Sequence, residues 1–187
     1  MKKLIYIALA IIVIIGIFFL IPNKKDATVK NDKILIAYFS ATGNTRGVAE
    51  RLASVTNADL FEIVPTEIYT DADLNWRNDK SRSSIEMKNL ESRPAIANTV
   101  QDMSQYDIIF LGFPIWWGRE PSIVDTFVTS YDFSGKAIIP FATSGSTPTT
   151  ADADARIQTL VPNASVMPGE RFPTDVTEQE LKAWVGD

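Results

Sequence analysis

Ile34-Leu35-Ile36-Ala37-Tyr38-Phe39-Ser40-Ala41-Thr42-Gly43-Asn44-Thr45 is the stretch from which the fold is read. An apolar run ends abruptly in short hydroxylated residues and a glycine. A helical pattern follows at once, with Val48, Ala49, Leu52, Ala53 and Val55 recurring at i, i+3/i+4 spacing. The order is strand, tight polar turn, helix. Such a turn presents backbone N–H groups and hydroxyls at a helix N-terminus, a ready anion site. Ser40, Thr42, Asn44 and Thr45 are short enough to hold a phosphate there. The competing reading is that Thr42 or Asn44 merely caps the helix. No Lys follows the glycine in the G-x-x-x-x-G-K-[ST] pattern, so a nucleoside-triphosphate loop is not supported.

The 187 residues suffice for one ordinary domain plus something extra. There is no Cys, which excludes disulfides, thiolate metal sites and thiol nucleophiles. There is no His, which removes the commonest general base and metal ligand. Ser-His-Asp hydrolysis is excluded, and no metal is expected. The chain has 18 basic and 23 acidic residues; residues 1–32 hold five Lys and two Asp, leaving 13 and 21, a charge of −8. That acidity argues against nucleic acid, which needs a basic face. It suits basic partners, a basic redox protein among them, or serves solubility alone.

Residues 4–21 form an uncharged apolar run between Lys2-Lys3 and Lys24-Lys25. As a helix it would span about 27 Å. It is longer than a signal-peptide core and lacks a small-x-small cleavage site, so an uncleaved transmembrane anchor over 1–21 is expected rather than a cleaved signal. The lysine distribution slightly favours a cell-membrane protein with its N-terminus inside and its domain outside. Residues 22–32 read as a tether, and 33–187 as the folded domain.

Within that domain Lys33–Ser40 reads as a strand covered on both faces. A helix is expected over about 43–55, and a strand over 59–64 that Pro65 ends. Residues 66–98 are polar and poorly patterned, with a short helix expected over 84–92; Trp76 reads as cover for the core, or else as the rim of a pocket. A weaker helical signal spans 98–106. Residues 106–112 form a second apolar strand that leads into Phe113-Pro114-Ile115-Trp116-Trp117-Gly118-Arg119-Glu120-Pro121. A helix follows with Pro121 in its first turn and Ile123, Val124, Phe127, Val128 and Tyr131 on one face. Residues 136–143 form another strand, ending in Ser144-Gly145-Ser146-Thr147-Pro148. Thr149-x-x-Asp152 resembles a capping box before a helix, 164–167 a short last strand, and Thr177-x-x-Glu180 opens the last helix. The alternation implies an open parallel sheet.

Three strands thus end in unusual loops, all at the carboxyl edge where ligands sit in such sheets. The first offers phosphate donors. The second offers two adjacent tryptophans that are hard to bury together. The third offers hydroxyls and a glycine turn. A phosphate pocket beside aromatic faces suits flavin mononucleotide (FMN).

Over about residues 33–186 the chain resembles a flavodoxin. Phe39 to Thr45 has that family's T/S-x-T-G-N-T form. Gly112 to Gly118 resembles its double-Trp branch with a following proline, here Pro121, and Phe141 to Ser146 is a looser match. The resemblance implies an α/β three-layer sandwich with a five-stranded parallel sheet of order 2-1-3-4-5. It implies that Ser40, Ala41, Thr42, Gly43, Asn44 and Thr45 hold the FMN phosphate. It implies that Trp116 or Trp117 stacks on the ring. Pro114, Ile115, Gly118, Thr143, Ser144, Gly145 and Ser146 would contact its remaining edges. The function implied is an electron carrier between redox protein partners at the membrane. The alternatives are an FMN-dependent NAD(P)H or quinone oxidoreductase and a module that has lost its cofactor.

Overall fold

The computed structural model describes residues 32–186. The expected anchor over 1–21 and most of the tether lie outside them. Among the described residues no helix is long and apolar enough to cross a membrane.

The elements are β1 (Ile34–Tyr38), α1 (Asn44–Thr56), β2 (Asp59–Glu62), α2 (Arg82–Lys88), β3 (Ile108–Pro114) and α3 (Ser122–Thr129). They are followed by β4 (Ala137–Thr143), α4 (Ala151–Leu160), β5 (Ser165–Val166), β6 (Glu170–Phe172) and α5 (Glu178–Val185). All strands pair in parallel, and the sheet order is β2-β1-β3-β4-β5 with β6 also on β4. This is the expected 2-1-3-4-5 order.

Strand β1 shows why its sequence is apolar throughout. Leu35 and Ala37, with Phe39 just beyond, pack on one face with Ile109, Leu111 and Phe113 and with Ile123, Val124 and Phe127 of α3. Ile36 and Tyr38 pack on the other with Phe110, Phe141, Leu52 of α1 and Leu181 of α5. Period-2 alternation therefore fills both layers, and only apolar residues satisfy both.

The fifth sheet position is shared by two short strands. Residues Lys136 and Ile138 turn their carbonyls toward this edge and accept from Ser165 and Met167. Pro140 is next in that alternation and has no N–H to give. The edge strand breaks beside it, and β6 resumes pairing from Phe141 onward. At the break a Cβ on Gly169 would lie 2.7 Å from the Pro140 carbonyl oxygen, so the glycine is required there. Thr177 and Glu180 form the expected capping box at α5. Thr149 and Asp152 do not: Thr150 is the residue before α4, without a side-chain cap, and its hydroxyl bonds Asp154 instead. The 98–106 signal yields only a 3₁₀ turn, Met103–Gln105.

Residues 66–98 are closed at the base like a drawstring. Asn98 accepts from the Val64 N–H and donates to the Glu62 carbonyl, and Pro65 bridges Ile96. The short helix lies at Arg82–Lys88, starting two residues and ending four residues before the expected 84–92, and is held by Ser81 as cap. Trp76 does not cover the core: it is 64% exposed, with Arg77 over its ring.

Candidate functional site

The three loops meet at the carboxyl ends of β1, β3 and β4. Phe39 N–H donates to the Gly112 carbonyl, Ile115 N–H to the Thr143 carbonyl, and the buried Thr45 and Thr143 hydroxyls lie 3.0 Å apart. The first and third loops are therefore tied through one hydroxyl pair.

The first loop leaves donors free. Gly43 precedes α1 with φ 87°, and no side chain caps the helix. The opening N–H groups of a helix have no intrahelical acceptor. No acidic residue lies in the first turn, so the positive end of the dipole is not offset there. Neither Thr42 nor Asn44 acts as a cap. Ser40 Oγ is buried and has no protein hydrogen-bond partner. A buried hydroxyl without a partner costs stability unless something fills the gap. Arg46, also in the first turn, pairs with Glu62, and that contact raises the guanidinium pKa.

The second loop is a two-residue hairpin. Trp116 and Arg119 exchange both backbone hydrogen bonds, at 2.9 and 3.1 Å. Trp117 and Gly118 at its tip both have positive φ, 47° and 89°. This is the type I′ turn that Asn-Gly favours, so Trp117 stands in a conformation its side chain disfavours. Such strain concentrates at functional sites. The two tryptophans divide. Trp116 is half-buried, its ring edge-on to Phe39 at 5.7 Å and Tyr69 at 5.4 Å. Trp117 is 51% exposed.

In the third loop Ser144 Oγ accepts from the Ser146 and Thr147 N–H groups, curling the chain. A Cβ at Gly43, Gly118 or Gly145 would meet nothing within 4 Å, so open space adjoins all three loops.

Several residues at the rim were not legible in the sequence. Tyr69 backs Trp116; its hydroxyl donates to Glu86, while Arg82 bonds Glu86 and lies over the Tyr69 ring. Burial first, and then the bond to Glu86, raise the Tyr69 pKa, so the phenol stays neutral. Just past the hairpin, Glu120 and Asp125 are fully buried beside Arg119 and Arg156. Their only sequence signal is charge interrupting the apolar pattern around α3 and α4.

Comparison with known proteins agrees with this architecture. The flavodoxin family model matches residues 33–187. A candidate flavoprotein from Bacteroides uniformis ATCC 8492 is 42% identical, with TM-score 0.79 over 83% of this chain and 99% of that one. One from Bacteroides eggerthii DSM 20697 is 39% identical, with TM-score 0.79 over 83% and 96%. A flavoprotein from Lactobacillus acidophilus NCFM, solved in complex with FMN, is 23% identical, with TM-score 0.64 over 83% and 99%, and is similar in fold. No curated protein matches. The match across residues 33–187, on a 2-1-3-4-5 sheet with the three loops at its carboxyl edge, places this chain in the flavodoxin family.

Proposed function

We propose that the chain binds FMN across the three loops and carries electrons between protein partners. The observation that carries this is the first loop: an uncapped helix N-terminus, a left-handed Gly43 and a buried Ser40 hydroxyl with no partner. These residues fit a phosphate monoester, which supplies both the negative charge and the missing acceptor. The Lactobacillus relative, of the same fold, is an FMN complex.

Bound FMN would supply the redox chemistry. The protein's part is to bind, orient and shield. Ser40, Thr42 and the N–H groups of Asn44 and Thr45 would hold the phosphate. Trp117, the exposed member of the pair, is the proposed face for the ring, while Trp116 packs edge-on against Phe39 and Tyr69. Gly118 and Gly145 let the backbone approach the ring edge. The net acidic domain suits a basic partner. Residues 4–21 would place these events at the cell membrane, with the domain outside.

A second reading is an FMN-dependent NAD(P)H or quinone oxidoreductase. The packing of residues 66–98 against Trp116 favours it, because that segment builds up one side of the second loop. Rapid reduction of the bound flavin by NAD(P)H alone would select it.

Ser40→Ala separates ligand binding from folding. The hydroxyl has no protein partner, so its loss should leave the thermal midpoint of the FMN-free chain unchanged or slightly raised. FMN affinity should fall about 10–100-fold, the value of one hydrogen bond to a charged group. Unchanged affinity by fluorescence titration would remove Ser40 from the site.

A further inference from the structure

Glu120 is the second residue after Gly118 and precedes Pro121 at the start of α3. It is fully buried, and both of its carboxyl oxygens lack a hydrogen-bond partner. Asp125, also fully buried, leaves Oδ1 without one. Positive charge is close, but no guanidinium hydrogen-bonds either Glu120 oxygen. Arg156 Nε lies 3.1 Å from Glu120 Oε1, yet its hydrogen bond goes to Asp125 Oδ2, as does that of Arg156 Nη2. Arg119 Nη1 donates to the Glu120 backbone carbonyl, and Arg119 Nη2 to Ser122 Oγ. Arg93 faces Asp125 from the 66–98 segment, 3.6 Å away, and Glu91 acts on Arg156 from the same segment.

An ionised Glu120 would therefore be a buried carboxylate with no donor on either oxygen, which is far costlier than a neutral acid. The two carboxyls meet at one guanidinium: Arg156 Nε lies 3.1 Å from Glu120 Oε1 and 3.1 Å from Asp125 Oδ2. One proton held between the two carboxyls removes the second buried charge and leaves both Arg156 bonds intact.

We propose that Glu120 and Asp125 share one proton, and that Glu120, neutral by virtue of it, is a positioning residue for the Trp116–Arg119 hairpin. Arg119 closes that hairpin with its backbone and anchors it with its side chain. With Glu120 neutral, the guanidinium stays on the Glu120 carbonyl and Ser122. With Glu120 ionised, its carboxylate 3.6 Å away competes for it, and the strained Trp117 turn loses its anchor. Burial first, and then Asp125, push the Glu120 pKa up to about 9, against the opposing pull of Arg119. The shared proton rests on this chain's residues alone; the effect on the loop's ligand rests on the FMN reading.

The folded chain keeps the proton up to about pH 9, while an unfolded Glu loses it near its ordinary 4.5. Stability from this group is therefore fully present below about pH 4.5 and is lost as pH rises through the folded value of about 9.

The test uses the purified full chain and Glu120→Gln, a neutral isostere that retains a donor. Infrared spectra at neutral pH should show a protonated-carboxyl band that titrates away near pH 9 in the wild type and is missing from Glu120→Gln. FMN affinity should be flat to that point in the wild type. Above it, affinity should fall by up to about tenfold per pH unit, the limit for one linked proton. Glu120→Gln should keep the neutral-pH affinity throughout. A band identical in both proteins, or the same alkaline fall in Glu120→Gln, overturns the proposal. Should the variant not fold, the wild-type infrared titration decides alone: absence of the band at pH 7 overturns the shared proton. Should neither protein bind FMN, the cofactor reading fails, and the infrared band still decides the proton.

Discussion

Arg156→Ala should destabilise the domain by about 3–5 kcal/mol, the cost of stripping a partner from a buried charge. Arg156 gives Asp125 Oδ2 two hydrogen bonds, at 3.1 and 2.6 Å, and a third to the Leu90 carbonyl at 2.7 Å. Asp125 is fully buried, so water cannot replace them. The other guanidiniums near it, from Arg93 and Arg119, stand at 3.6 and 3.7 Å and make no hydrogen bond to it. The same side chain ties α4 both to α3 and to the 66–98 segment. Arg156→Lys should recover only part of the loss, because an ammonium cannot reproduce the fork. Pairing Arg156→Met with Asp125→Leu should recover part of it, since the Asp125 carboxylate is then no longer left bare. Urea unfolding measures all three. A loss below about 1 kcal/mol for Arg156→Ala would mean that the cluster is solvated like a surface pair.

Gly112→Ala should cost about 1–3 kcal/mol or more, although it adds one methyl group. Gly112 pairs with Phe141 across β3 and β4. A Cβ there would stand 2.3 Å from Phe141 Cζ and under 3 Å from two more ring atoms. The ring is fully buried under α1 and α5, so it has no free space to enter. Phe141→Leu placed with Gly112→Ala should restore stability relative to Gly112→Ala alone, a coupling that a double-mutant cycle reads directly. Additive losses would show that the clash is relieved elsewhere. The effect should reach the site as well, because the Gly112 carbonyl holds the Phe39 N–H where β1 turns into the first loop.

The sequence made β1, β3, β4 and their loops legible for one reason. Strands buried on both faces must be apolar throughout, so the switch to Ser, Thr, Gly and Pro at their carboxyl ends is abrupt. Strand β6 has no such contrast: of Glu170, Arg171 and Phe172, only Phe172 is buried. Residues 66–98 were opaque because polar contacts order them, through Asn98, Glu86 and Ser81, and polar contacts leave no periodicity. The division of labour between Trp116 and Trp117 depends on a turn whose tip contradicts residue preference, and such departures gather at functional sites. The Glu120–Asp125 pair was hidden for a related reason. A charged residue beside an apolar stripe usually reads as surface, and only the packing of α3, α4 and the hairpin shows these two to be enclosed.

That the three loops form one FMN site is tested most directly by the visible absorption spectrum of the purified chain. Flavin bands are expected, with the cofactor released on denaturation identified as FMN, bound one per chain and lost more readily from Ser40→Ala. A colourless protein that takes up no added FMN would contradict the claim.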